Sequence, residues 1–452
     1  MDLDAHCGSR LATPGYRENI TGRYARKTLR IYGREQPRFL PEDGFYEIIQ
    51  VRKTDNIMQK IITKWWSVGV GGLLLWMFLY GLTKMYFHQD DLDWFIIANK
   101  PFGDFWRYPI GDHVNYVWRA LLKTEWELIG LYFPPYLFVS VIMHTSAVWL
   151  IYVLGKATSG RSDLASYAAL LFTINTNWTE SVLWISGQTI SITAVFVLLG
   201  MLAVWKKKNQ GIMMLLASWT SALSLGFIAA GAIVYRDLRV KALAIVGILG
   251  IIYTRYGGDG TAIEWSLEWV GQVMSVAGLM MINSVVGRLI IPFDRMESMR
   301  IILVVLLMVY GLWRGRDNLR AIWRDQWSRF LIFQIIFYNV IVAVGRAQYG
   351  VGIMRAERYA YLGLALSLLL MVRVARNWVV GRWVWLVPII VMIQVGGFYQ
   401  RAQTYIERPQ KLQELVRGIR RGEVSDPQAY LPHFVFNDER LRYRDLIDLV
   451  KD

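Results

Sequence analysis

Apolar positions along this chain come in long unbroken runs rather than in the alternating or amphipathic stripes of a soluble core. Blocks of about 15–25 residues recur between positions 65 and 399. Each approaches the roughly 30 Å needed to cross a hydrocarbon layer as a helix. The blocks predict helical spans at 64–87, 134–155, 163–176, 187–205, 211–234, 241–254, 267–290, 300–313, 328–345, 359–374 and 382–399. The predicted class is therefore an all-α polytopic membrane protein of about eleven transmembrane helices. The shortest runs, 163–176 and 241–254, carry the weakest pattern.

Three regions follow from the same pattern. Residues 1–63 are polar and basic and form a cytoplasmic arm, without the apolar segment of a cleavable leader. Residues 64–399 form the transmembrane domain. Residues 400–452 form a short charged tail that holds one amphipathic helix candidate, QKLQELVRGIRR. Between the first two spans lies a long polar and aromatic stretch, 88–132. Its segment 113–125 reads as an amphipathic helix on the outer surface.

Composition sharpens this reading. Hydrophobic residues make up 54% of the 452 positions, which excludes a disordered or fibrous chain, and a single cysteine, Cys7, excludes a disulfide scaffold. The net charge of +15 sits mainly between apolar runs. There it orients spans and meets anionic lipid; no motif points to nucleic acid. With the N-terminus inside, basic loops such as 206–210 and 314–327 fall on the cytoplasmic side, and the odd span count puts the tail outside. The outer loops carry arginines too, among them Arg236, Arg239, Arg355 and Arg358. A bacterial or archaeal plasma membrane and an endoplasmic reticulum suit the sequence equally.

Candidate chemistry lies in the outer loops. Asp90, Asp91 and Asp93 follow directly on the first span. Carboxylates crowded at a bilayer surface are costly unless solvated or used, and a general base needs a carboxylate within reach of an incoming hydroxyl. Glu180 stands in the second outer loop, beside the sequon-like Asn177-Trp178-Thr179. If it shares a cavity with Asp90 and Asp91, the carboxylates can divide base and orienting work. His144 lies inside the second span, where an ionisable group is a functional candidate by default. Arg355, Glu357, Arg358, Tyr359 and Tyr361 open the tenth span; they serve either as interface anchors or, through a guanidinium, to hold a phosphate. No Walker A, HExxH, CxxC or GxSxG pattern is present, and the five histidines show no metal-ligand spacing. No cofactor is obligatory, and a divalent cation stays open.

Taken in order, these segments resemble the GT-C membrane glycosyltransferases, in particular the dolichyl-phosphate-mannose-dependent O-mannosyltransferases that carry lumenal TPR repeats, and their bacterial relatives. Asp90 and Asp91 match the family's Asp-Asp pair, and Arg107-Tyr108-Pro109 approximates its Arg-Pro segment with one residue inserted. His144 matches a histidine of the second span. Glu180, Val182, Trp184, Ile185 and Gly187 match a Glu-x-Val-x-Trp-Ile-x-Gly pattern; Glu357, Arg358, Tyr359, Tyr361 and Leu362 match a late Glu-Arg-Tyr-x-Tyr-Leu motif. The likeness covers about 88–200 and 355–365. Asn175-Thr176 replaces the family's His-Pro and Gln188 its Arg, and no TPR repeats follow.

The resemblance implies a GT-C-like bundle and an inverting transferase. A polyprenyl-phosphate sugar would be the donor, and a glycan, lipid or protein the acceptor. Asp90 or Asp91 would be the base, with Glu180 beside it. Arg107, Arg355, Arg358, Tyr359, His144 and Gln188 would line the substrate site. Two other classes compete. A flippase for lipid-linked sugars needs a polar path through the spans. A non-catalytic subunit of a membrane complex needs only the fold.

Overall fold

The computed structural model describes residues 66–107, 115–206, 216–217, 219–235, 266–284, 297–347, 357–377, 386–423, 446–447 and 450. These belong to one unit, Met58–Asp452. The predicted arm 1–63, the span 241–254, Arg236, Arg239, Arg355 and about half of the tail fall outside the described residues.

All regular structure among the described residues is helical. The helices are α1 (Trp66–Lys84), α2 (Gln89–Ala98), α3 (Phe102–Arg107), α4 (Tyr116–Ile129), α5 (Phe133–Ser159), α6 (Ser162–Ile174) and α7 (Trp178–Leu183). Then come α8 (Gln188–Lys206), α9 (Leu225–Val234), α10 (Leu267–Ile282), α11 (Glu297–Arg324), α12 (Gln326–Arg346), α13 (Glu357–Val374) and α14 (Leu386–Arg420).

Four of these, α1, α5, α8 and α12, are long and apolar enough to cross a membrane by length and composition. The predicted span 163–176 is realised as α6, whose 13 residues reach only about 20 Å at 1.5 Å per residue. The predicted inner loop 314–327 is helical as far as Arg324, and Asp325 breaks it. The helix candidate of the tail is not separate either: α14 runs through 35 residues across the boundary at 399, with Pro409 inside it. Two helices, α11 and α14, thus run longer than the apolar runs alone suggest. Hydropathy marks where a helix is apolar, whereas backbone hydrogen bonding continues through a charged stretch until a breaker stops it.

Local sequence explains the ends. Pro134 and Pro135 open α5, where their missing N–H groups cost nothing, and Gly160 closes it in the left-handed conformation (φ 73°). Asp325 caps α12 by accepting from Ser328 N at 2.9 Å and Ser328 Oγ at 2.6 Å.

α5, α6, α7, α8 and α13 pack against one another, and α12 packs on α9, α10, α11 and α13. α8 is the most enclosed span, with 72% of its apolar window buried against 22% for α1. On α1, Leu75, Trp76 and Leu79 are exposed, as are Phe138, Ile142 and Trp149 on α5. Lipid is as apolar as these side chains, so helices here are held by close packing and interhelical hydrogen bonds. Several such bonds cross the bundle. His144 Nδ1 on α5 meets Tyr361 Oη on α13 at 2.7 Å. Tyr338 Oη on α12 donates to the Tyr359 carbonyl at 2.6 Å. Ser284 Oγ donates to Asn339 Oδ1 at 3.1 Å. Gly226 lets α9 approach α12 closely, because a Cβ there would stand 2.8 Å from Tyr338 N.

Candidate active site

The described part of the stretch 88–132 folds as α2, α3 and α4, braced by one face of α4. Lys123 Nζ donates to the Ala98 carbonyl at 2.7 Å and the Lys100 carbonyl at 3.0 Å, satisfying the C-terminal end of α2. Trp126 Nε1 donates to Asn99 Oδ1 at 3.2 Å. Arg119 donates to the Phe105 carbonyl and lies over the Phe105 ring, which holds α3. The buried side of α4 includes Trp118, Arg119, Leu122, Lys123, Glu125 and Trp126. Its one-sided burial is that of an amphipathic helix, and three ionisable groups stand on the side turned into protein.

Asp91 is 1% exposed. Its carboxylate accepts from His88 N at 2.7 Å, Ser186 N at 2.7 Å and Ile185 N at 3.4 Å. The first bond closes the start of α2. The other two tie α2 to the loop between α7 and α8. That loop is Trp184–Gly187, the Trp-Ile-x-Gly segment marked by sequence. It can turn so tightly because Gly187 has no side chain, a Cβ there running into the Glu180 and Trp184 carbonyl oxygens.

Trp184 is the hub. The His88 ring lies 4.4 Å from it by centroids, and the Arg358 guanidinium lies 4.4 Å over its ring. The Arg358 backbone N–H donates to Glu180 Oε2 at 3.2 Å, and Glu180 is buried. Below Arg358 the Tyr359 ring is flanked by two guanidiniums, Arg358 at 5.3 Å and Arg346 at 5.6 Å. Three segments far apart in sequence therefore meet: 88–91, 180–187 and 357–359. A buried carboxylate and two half-buried guanidiniums in one cluster can bind and orient a phosphorylated ligand.

The remaining candidates divide. Gln188, at the start of α8, is fully buried and already bonded within the protein. Its Nε2 donates to the Tyr136 carbonyl at 3.1 Å and to Ser140 Oγ at 3.0 Å, and its Oε1 accepts from Trp118 Nε1 at 3.3 Å. His144 sits in an aromatic box of Phe172, Trp178 and Tyr361 and braces α5 against α13. Removing that bond with Tyr361→Phe is expected to cost about 1 kcal/mol, read as a lower unfolding midpoint in detergent. Asn177, in the sequon-like triplet, is 1% exposed, so no glycan fits on it in the folded chain. Asp90 is on α2 and Arg107 ends α3, but their side chains, like all of Arg355, lie outside the described residues. Among the described residues no group of His, Cys, Asp or Glu gathers as for a metal ion.

Two residues escaped sequence reading. Arg346 ends α12 with no motif around it, and only the packing of α12 on α13 brings it to Tyr359. Glu125 sits on the buried stripe of α4 at 4% exposure. Its spacing of seven from Trp118 puts both on one helical face and was the available signal. No protein-family model matches this chain, and neither a curated protein nor a solved structure matches it.

Proposed function

We propose that the protein is a membrane glycosyltransferase of GT-C type, with about eleven spans, that moves a sugar from a polyprenyl phosphate to an acceptor on the outer face. The observation that carries this reading is the meeting of the Asp90-Asp91 segment, Glu180 and Arg358 around Trp184. In the proposed orientation the N-terminus is cytoplasmic and these residues lie at the outer end of the bundle.

In this reading Arg358 and Arg346 hold the donor phosphate. Guanidinium charge stabilises the phosphate as it leaves with the bonding electrons, so a separate general acid is unnecessary. Both oxygens of Asp91 already accept backbone N–H groups, which makes that carboxylate a clamp on the loop. The base role then goes to Asp90, one residue earlier on α2. It takes the acceptor proton while the acceptor oxygen attacks the anomeric carbon from the face opposite the phosphate, inverting it. Glu180 orients the acceptor hydroxyl.

The test is transfer by the purified full-length protein in nanodiscs, supplied with polyprenyl-phosphate sugars and a membrane extract as acceptor source. Asp90→Ala is expected to lower turnover about 100-fold or more, and Arg358→Ala to raise the donor KM. Full transfer by Asp90→Ala sinks the base assignment. A second reading, a non-catalytic subunit of a membrane complex, draws on Gln188, whose polar atoms are all engaged by the protein itself. No transfer by the wild type, with a membrane partner co-purifying at fixed stoichiometry, favours it.

A further inference from the structure

Glu125 is the buried ionisable group that the proposed chemistry leaves unused. Among the described residues neither of its carboxyl oxygens has a hydrogen-bond partner. The reason is visible around it. The Gln188 amide lies nearby, but both of its N–H bonds go to the Tyr136 carbonyl and Ser140 Oγ. The basic residues of the same helix face elsewhere: Lys123 to the end of α2 and to Glu127, Arg119 to the Phe105 carbonyl. From α5 the group facing Glu125 is Tyr136, whose hydroxyl donates to the Gly130 carbonyl. From α2, Asp91 lies within electrostatic range of the same tyrosine. Among the described residues no cation is bonded to Glu125.

A carboxylate left in such a place costs several kcal/mol, far more than a neutral carboxylic acid. The helix that carries it is held at its edges. Trp126 stacks on Phe95 with centroids 5.2 Å apart, Trp118 meets Trp94 edge-on at 4.4 Å, and Trp118 donates to Gln188. We propose that Glu125 is a proton-binding site that governs the docking of α4: the helix is seated while the carboxyl is neutral and is released when the proton leaves. This inference holds whether or not the protein transfers a sugar. Release matters to the site, because α4 supports α2, which supplies Asp91 to the loop of Trp184.

Burial pushes the Glu125 carboxyl up from 4.5 to about 8, while the neighbouring Gln188 amide favours ionisation. The seated helix therefore keeps a proton that the released, solvated helix gives up above 4.5. Seating is strongest below that pH, weakens as pH rises through the window from 4.5 to about 8, and weakens no further above it.

The experiment is hydrogen–deuterium exchange on the full-length protein in nanodiscs at about pH 6 and about pH 10, corrected for intrinsic exchange. In the wild type, exchange of amides 116–129 is expected to rise about tenfold or more at the higher pH, and Glu125→Gln is expected to hold it low at both. Equal protection of the wild type at both pH values, or a variant that keeps the wild-type rise, overturns the proposal. Should Glu125→Gln fail to fold, infrared difference spectra of the wild type decide. The carbonyl band of a protonated carboxyl must disappear together with the rise in α4 exchange; a rise without that loss overturns the proposal.

Discussion

Gly187→Ala is expected to leave little folded protein. A Cβ at this position would overlap the Glu180 carbonyl oxygen and stand 2.9 Å from the Trp184 carbonyl oxygen. Both obstacles are backbone, one in α7 and one in the tight loop, so no rotamer change relieves them. The loop would have to open, and with it the Ser186 and Ile185 bonds to Asp91, the Trp184 stack with His88 and the Arg358 contact. The expected loss is above about 4 kcal/mol, the range of overpacked and network-breaking changes. The check is the yield of monodisperse protein in detergent and its unfolding midpoint. Gly72→Ala is the control: a Cβ there meets nothing within 4 Å on α1. It should be neutral or stabilising, since alanine favours helix.

The second large effect is at the opposite end of α13. Arg373 makes two bonds to Asp325, Nε–Oδ2 at 3.1 Å and Nη2–Oδ1 at 2.7 Å, and a third to the Thr158 carbonyl. One guanidinium thus ties the end of α5, the start of α12 and the end of α13. Arg373→Met leaves Asp325 without its charge partner and the end of α5 without its donor. The expected cost is about 3 kcal/mol, measured as the shift in unfolding midpoint. Burial raises the Asp325 carboxyl, but the bonds to Arg373 and Ser328 outweigh it and hold the group at about 2, below its ordinary 3.8. For a depressed carboxyl the stabilisation is complete above the unfolded value and disappears as pH falls from 3.8 to about 2. The wild type should lose stability across that window, whereas Asp325→Asn should be weaker at neutral pH and nearly flat across it.

The two ionisable anchors of the bundle thus respond to opposite ends of the pH scale. Asp325 has a cation and an N-terminal backbone amide to meet, so its charge is favoured. Glu125 has neither among the described residues, so its charge is disfavoured. Both are acidic residues near helix ends, and nothing in their immediate sequence separates them.

Much of the site was legible. The segments with Asp91, Glu180, Trp184, Gly187 and Arg358 stand out in sequence as polar and aromatic islands between apolar runs. They do meet in space, since each lies at the end of a long apolar helix and helix ends collect at the same level. Roles were less legible. Asp91 reads, with Asp90, as a candidate base; its carboxylate accepts from the backbone amides of residues 185 and 186, and backbone amides leave no mark in a sequence. His144 and Gln188 read as ligand groups and are interhelical braces. Their bonding partners lie on other helices or a full helix length away.

What the sequence determined by itself is local: helix formation, the apolar stretches suited to a bilayer, and the breaks at Gly160 and Asp325. These depend on hydropathy, capping and backbone geometry over a few residues. Tertiary structure alone decided which apolar helices are enclosed and which charges find partners. It gave Arg373 to Asp325, brought Arg346 to Tyr359 and, among the described residues, left Glu125 buried without a bonded cation. The physical reason is that desolvation and pairing are properties of a place in the packed bundle, set by residues as far as 217 positions away.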